Sequence, residues 1–273
     1  METATVNGVT LEYEARGSGE PMLLIHGASV AETFVPILKE PALGRYRLIS
    51  YHRRGYAGSG HPGRVTNFHE QAADAAALLG HLGVSKAHLV GHSYGGLTAL
   101  RLALDSPALV ATLSLLEPPM LATPLGARFV EGPLAPVLAA YQSGDKRGSA
   151  DLFRDVVGGP SAARALDERI GTAARDQAAR DADTLFGTEF PELEKGLFTE
   201  ADAPRVQTPA LSLAGERSDP LFRESHAMLL KWLRRVEGME IPRAAHFLQV
   251  EEPRAVAEAI ARFVAKHPLP NAC

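Results

Sequence analysis

A serine hydroxyl is a weak nucleophile in water, and the segment Gly91-His92-Ser93-Tyr94-Gly95 offers half of the remedy. It follows the mostly apolar run Ala87-His88-Leu89-Val90 and precedes a helical pattern, the G-x-S-x-G arrangement of a strand-to-helix elbow. Such an elbow holds the serine in a strained turn with Oγ exposed at the top of a sheet. Glycines two residues to either side are expected, because the tight turn leaves no room for a Cβ. The other half is a base, an acid and an oxyanion hole. The base candidate is His246, in a loop between the last expected strand and the last helix. Its imidazole titrates near neutrality, so it can take and return a proton. Ten histidines are present, and a lone loop histidine is most simply a solvated one. The order of an elbow serine followed by a histidine near the C-terminus singles out His246. The oxyanion hole needs two backbone N–H groups aimed where negative charge develops. Tyr94, directly after the nucleophile, would supply one, and Ala28 in His26-Gly27-Ala28-Ser29 the other.

These groups need a scaffold. Alternation over residues 5–15, broken at Asn7-Gly8, predicts a hairpin. Met22-Leu23-Leu24-Ile25 is a short continuous apolar run, as expected for a strand buried on both faces. Residues 46–51, 87–90, 111–116 and 210–214 read the same way, and Glu240-Ile241 ends a last strand. Between them lie helical patterns. Phe68, Ala72, Ala75, Leu79 and Leu82 share one helical face, opened by Asn67 and Glu70 at capping-box spacing. Leu97, Leu100 and Leu104 follow the elbow, and a final helix runs from about Pro253 to Lys266. This alternation predicts an α/β protein with a mostly parallel central sheet and helices on both faces. It stops between about Pro118 and Pro204, where only helical patterns such as 152–157 and 162–174 occur. The expected organisation is a core of residues 1–117 and 205–273 carrying an all-helical cap, 118–204. Two separate domains are disfavoured, because the strands after Pro209 are too few to form one alone.

Composition narrows the function classes. The length of 273 residues suits one large α/β domain with an insertion. A formal net charge of −4 gives no polybasic footprint for nucleic acid or an anionic membrane. The single cysteine, Cys273, excludes an intrachain disulfide, so folding does not depend on an oxidising compartment. Met1-Glu2-Thr3-Ala4-Thr5 has no signal-peptide character, and no apolar run approaches the ~20 residues of a membrane span. A soluble cytoplasmic protein is expected.

His26-Gly27, the segment Arg53-Arg54-Gly55-Tyr56-Ala57-Gly58-Ser59, the elbow at Ser93, the helical insertion and His246-Phe247 occur in this order over nearly the whole chain. In this the chain resembles the α/β-hydrolase superfamily in its capped, single-domain form. The superfamily usually places its acid after the seventh strand, about three residues past a glycine. Here that loop reads Gly215-Glu216-Arg217-Ser218-Asp219-Pro220, and Asp219 falls one residue late. Asp followed by Pro is also an ordinary helix N-cap with Pro at the first helical position. The rival is Glu117, which ends the run Leu113-Ser114-Leu115-Leu116 before Pro118-Pro119. A carboxylate at the tip of a central strand can reach a neighbouring loop histidine, and the chain resembles a subset whose sixth strand ends Glu-Pro-Pro. Glu117 is therefore the favoured acid, Asp219 the alternative and Glu216 a third candidate. A plain reading of Glu117 is an exposed hinge residue. The acid would accept a hydrogen bond from His246 Nδ1 and fix its tautomer.

The resemblance implies a serine hydrolase, without cofactor or metal, acting on an ester-like carbonyl, and the apolar, Ala/Leu-rich character of the cap favours a small or medium hydrophobic substrate. Epoxide hydrolases and haloalkane dehalogenases need an aspartate where Ser93 stands. C–C bond hydrolases, lactonases, perhydrolases and acyltransferases use serine on this scaffold, and a non-catalytic ligand-binding protein is the alternative from another class. Other signals carry less. Gly58-Ser59-Gly60-His61-Pro62-Gly63 matches G-x-G-x-x-G, but Pro62 and the gap before Asn67 keep it off a helix N-terminus. His52 stands where the superfamily usually has an acidic residue, which leaves that loop's ion pair open. His69-Glu70 lacks the second histidine of a zinc motif. Lys231, Arg234 and Arg235 read as a solvated helix face, and Trp232 as packing.

Overall fold

A computed structural model describes residues 1–61, 63–193 and 197–269, so Pro62 and Cys273 lie outside the described residues. Eight strands form one sheet: β1 (Glu2–Val6), β2 (Val9–Arg16), β3 (Pro21–Ile25), β4 (Arg47–Tyr51), β5 (Ala87–His92), β6 (Val110–Leu116), β7 (Ala210–Gly215) and β8 (Val236–Ile241). Their order is β1-β2-β4-β3-β5-β6-β7-β8. The N-terminal hairpin pairs antiparallel, and every neighbour from β4 to β8 is parallel.

The apolar runs are strands because both of their faces are covered. Leu23 and Ile25 pack with Phe68, Leu97 and Leu100, from α1 (Phe68–His81) and α2 (Tyr94–Asp105). Met22 and Leu24, one residue out of phase, pack instead with Val256, Ile260 and Phe263. Alternation of side chains along a strand divides these two clusters between the faces of the sheet. The Asn67–Glu70 capping box opens α1 with both of its hydrogen bonds present.

Between β6 and β7 the described residues form α3 (Pro124–Glu131), α4 (Ala135–Gln142), α5 (Lys146–Gly158), α6 (Ala162–Arg169), α7 (Thr172–Arg180) and a π-helical turn, Asp183–Glu189, with short 3-10 turns after it. These helices build a third apolar cluster around Phe129, Val137, Phe153, Leu166 and Phe186. The same cluster takes in Leu221 and Phe222 of α8 (Pro220–Trp232) and Phe247, so the insertion packs directly on the sheet's C-terminal edge. A short α9 (Leu248–Glu251) precedes α10 (Pro253–Val264).

The helical pattern expected over 162–174 is two helices, broken at Gly171, whose φ of +107° suits only glycine. The last strand starts earlier than Glu240, at Val236. Arg234 and Arg235 are exposed but lie beyond the end of α8, in the turn leading to β8. Trp232 packs against Phe198. No helix among the described residues is long and apolar enough to cross a membrane.

Candidate active site

β5 is buried along its whole length, and Ser93 turns the chain from it directly into α2. Ser93 has φ 51° and ψ −120°, a conformation that costs on the order of 1–3 kcal/mol for a residue with a side chain. The strain is held from several sides. Ser93 N–H donates to Leu116 O at 2.8 Å, and its carbonyl accepts from the N–H groups of Gly96 and Leu97. A Cβ on Gly91 would lie 2.5 Å from Gly95 O and 2.7 Å from Gly96 Cα. A Cβ on Gly95 would strike the carbonyls of Ile25 and His26. Neither glycine has a positive φ, so both are required for space rather than for conformation.

The parallel register brings the carboxylate in. His92 pairs with Leu116 across β5 and β6, so Ser93 and Glu117 are the next residues on adjacent strand tips. Glu117 has φ 49° and is buried, not an exposed hinge. Its N–H donates to Leu213 O on β7 at 3.2 Å, and its Oε1 accepts from Gly215 N–H at 2.6 Å. Its Oε2 lies 2.8 Å from His246 Nδ1. His246 is buried too, in the loop after β8. Its carbonyl accepts from His92 Nε2 at 2.9 Å, and its ring stacks on Phe222 with centroids 3.8 Å apart. Ala245 N–H donates to Glu251 Oε2 at 2.5 Å, which pins the loop just before the imidazole.

Burial lowers the proton affinity of His246 and raises that of Glu117, because each would otherwise carry its charge away from water. The hydrogen bond between them opposes both shifts, since it is strongest for a carboxylate facing an imidazolium. The result is a neutral imidazole whose protonated form has a fixed partner. The other two carboxylates have different hydrogen-bond partners, although the charge of Asp219 also favours a protonated His246. Asp219 caps α8, accepting from Leu221 N–H at 2.9 Å, and Glu216 accepts from Arg243 N–H at 2.8 Å in an exposed turn.

The loop after β3 places His26, Gly27 and Ala28 beside the elbow; a Cβ on Gly27 would come 3.1 Å from that of Ser93. Tyr94 is the first residue of α2, where backbone N–H groups have no intrahelical acceptor. Behind them lies Arg53, fully buried. It donates to the carbonyls of His26 and Gly27, each at 3.0 Å, and pairs with Glu189 of the π-helical turn. Glu189 also accepts from Tyr56 Oη at 2.7 Å and Gln71 Nε2 at 3.2 Å. Removing one charge of such a pair would strand the other, at a cost of about 3–5 kcal/mol.

Ser93, Ala28 and Tyr94 face a narrow cavity of about 50 Å³, walled by Pro119, Leu121, Phe129, Leu134, Phe153, Val157, Phe190, Leu193, Leu221 and Phe222. Leu121, Leu134, Phe190 and Leu193 also line a wider cleft of about 910 Å³ among the inserted helices. The two spaces meet at those four side chains. Among the described residues, no charged side chain lines the inner cavity, and Glu131 lines the outer one. Among the described residues, no group of three or more His, Cys, Asp or Glu is arranged to hold a metal ion.

Several contributors carry no local sequence signal. The partner of His52 is Glu12 of β2, whose Oε2 lies 3.0 Å from His52 Nδ1 and accepts from Gly58 N–H at 2.9 Å. Glu189, Phe222 and Glu251 come from three further elements. Alternation could mark Phe222 as apolar, but nothing near it in the chain points to His246. His69, by contrast, is exposed and pairs with Asp105.

Residues 22–259 match the family model of the alpha/beta hydrolase family. A dihydrolipoyllysine-residue acetyltransferase component of an acetoin cleaving system from Pseudomonas putida is 27% identical over 97% of this chain and 70% of its own length. Serine hydrolase BPHL from Mus musculus is 29% identical over 90% of this chain and 79% of its own. Other curated relatives, 32–34% identical, are matched over 38–40% of their own length. Among solved structures, a thermophilic esterase from Thermogutta terrifontis superposes with a TM-score of 0.83 at 23% identity, covering 98% of this chain and 97% of that one. The chain belongs to the alpha/beta hydrolase family and is a hydrolase of that family.

Proposed function

We propose that this protein hydrolyses small carboxylic esters through an acyl-enzyme on Ser93. In this reading His246 Nε2 takes the proton of Ser93 Oγ as Oγ attacks the ester carbonyl carbon. Glu117 holds Nδ1–H and balances the imidazolium that forms. The N–H groups of Ala28 and Tyr94 receive the negative charge on the carbonyl oxygen. Collapse of the tetrahedral intermediate breaks the bond to the alcohol oxygen, which takes the proton from His246. Water then enters, gives a proton to His246 and attacks the acyl carbon; the acid leaves and Ser93 regains its hydrogen. Residues 118–204 act as a cap. The acyl group occupies the inner cavity and the alcohol the outer cleft.

The observation that carries this reading is the buried Glu117–His246 pair at 2.8 Å, carried on the strand tip beside Ser93. The apolar walls of the inner cavity support an uncharged acyl group. The test is turnover of p-nitrophenyl acetate by the wild type and by Ser93→Ala, with fluorophosphonate labelling of both. The expected result is turnover and labelling that both vanish in Ser93→Ala. Turnover that survives in Ser93→Ala, or a wild type that neither turns over nor labels, overturns the reading.

A further inference from the structure

Arg53 and Arg54 are neighbours in one loop, each in a buried ion pair, yet they face different surroundings. Arg54 donates to Asp74 at 2.5 and 2.7 Å and so ties the loop to α1. Arg53 reaches the carbonyl oxygens of His26 and Gly27. The Gly27 carbonyl belongs to the same peptide unit as the Ala28 N–H. In a trans peptide these two groups point in opposite directions, so whatever grips the carbonyl aims the N–H. The Gly27 oxygen is gripped twice. Arg53 Nη2 donates to it at 3.0 Å, and His26 Nδ1 lies 2.7 Å away. His26 Nε2 accepts from the Arg53 backbone N–H at 2.9 Å, which leaves the ring's proton on Nδ1 and makes Nδ1 a donor to Gly27 O. Both lone pairs of one carbonyl are therefore engaged, one of them by a full positive charge away from water. Such a bond draws electron density toward the oxygen and makes the N–H on the far side a stronger donor. The Arg53 guanidinium also lies 4.4 Å from the centroid of the Tyr94 ring, so it touches the residue that carries the second donor.

The far end of Arg53 is held by the inserted helices. Glu189 closes the π-helical turn Asp183–Glu189, and the same turn is fastened to the Arg53 loop by Thr184 Oγ1 donating to Gly55 O at 2.5 Å. Resting on the serine-esterase reading above, we propose that Arg53 is a positioning residue for the oxyanion site. It orients and polarises the Gly27–Ala28 peptide from behind, and Glu189 of the insertion holds it in place. The seating of the inserted helices thereby sets the strength of an N–H donor that meets the substrate on the opposite side.

The neighbouring Arg54–Asp74 pair is a built-in control, since it is a second buried ion pair made from the same loop and touches neither carbonyl. The variants are Arg53→Met combined with Glu189→Met, which removes both charges together, and Asp74→Asn. Each is measured for kcat and KM on p-nitrophenyl acetate, for inhibition by an alkylboronic acid that forms a tetrahedral adduct on Ser93, and for thermal midpoint. The double variant is expected to lose about 10- to 100-fold in kcat, less than the ~100- to 1,000-fold for deleting an oxyanion donor outright. KM should move less than about threefold, and boronate affinity should fall in step with kcat. Asp74→Asn should lower the thermal midpoint while kcat stays within about twofold. If the double variant does not fold, Arg53→Lys, which keeps the charge facing Glu189 but loses the guanidinium's several donors, makes the same comparison. A folded variant with unchanged kcat and boronate affinity overturns the inference, as does an equal kcat loss in Asp74→Asn. Fluorophosphonate labelling of the wild type separates the two readings. Without Ser93-dependent labelling and turnover both fall; with them, unchanged variants remove this inference alone.

Discussion

Glu117 and Asp219 are carboxylates of the same charge doing different work. Glu117 spends one oxygen on Gly215 N–H and turns the other to His246 Nδ1, so it can fix both the position and the tautomer of the imidazole. Asp219 spends its oxygen on Leu221 N–H at the start of α8. The two are separable by substitution. Glu117→Gln preserves the shape and an acceptor for Gly215, but presents an amide donor to Nδ1 and forces the wrong tautomer. It is expected to lower kcat by about 10³- to 10⁴-fold with little loss of fold. Asp219→Ala removes a cap, and should cost about 1 kcal/mol of stability while kcat stays within about threefold. Steady-state kinetics and urea unfolding on the two variants test this, and a kcat loss in Asp219→Ala matching that of Glu117→Gln would exchange their roles. In the sequence both carboxylates carried equally local arguments, Glu-Pro-Pro for one and Asp-Pro for the other. What separates them is register, a relation between β5, β6 and β7 that no short window contains.

At the scale of elements, the elbow works because strand, turn and helix are packed too closely for side chains. Gly95 lies against the end of β3, and a methyl there would meet the Ile25 and His26 carbonyls, neither of which can rotate away. Gly80, inside α1, has nothing within 4 Å of its would-be Cβ. The same substitution should therefore have opposite signs. Gly95→Ala is expected to cost about 1–3 kcal/mol or more and to weaken labelling of Ser93. Gly80→Ala should gain about 0.4–1 kcal/mol with labelling unchanged. Urea midpoints and fluorophosphonate labelling read both, and a Gly95→Ala as stable as wild type would show that the elbow has slack. Elements of this kind were legible where the physics is short-ranged: the capping box at Asn67 and Glu70, the apolar runs of β3 and β5, the Asp219-Pro220 helix start. The ion pairs behind the site were not, because their partners are far apart in the chain. Glu12 meets His52 from 40 residues away and Glu189 meets Arg53 from 136, and a carboxylate on a strand or a helix end looks in sequence like any solvated one.

The whole molecule adds a restriction that neither the elbow nor its partners impose. The inserted helices close over the sheet's C-terminal edge with an apolar cluster of their own, which reaches Phe222 and Phe247 on either side of His246. Ser93 is left facing a cavity of about 50 Å³. At roughly 10–15 Å³ per water-sized group, that is room for about three to five heavy atoms. The wider cleft of about 910 Å³ shares the side chains of Leu121, Leu134, Phe190 and Leu193 with that cavity. If the acyl group occupies the inner space, acyl length is the selected variable and alcohol size is not. Across p-nitrophenyl esters from acetate to octanoate, kcat/KM should hold up to about four carbons and then fall. Phe153 walls the inner cavity and packs edge-on against Phe186 and Phe190, with centroids 6.0 and 5.9 Å away. Phe153→Leu shortens that wall without stranding a polar group, and should move the cut-off to longer acyl chains. Leu138→Ala, which enlarges only the outer cleft, should leave the cut-off where it is. An octanoate ester turned over by the wild type as well as the acetate would overturn the placing of the acyl group in the inner cavity.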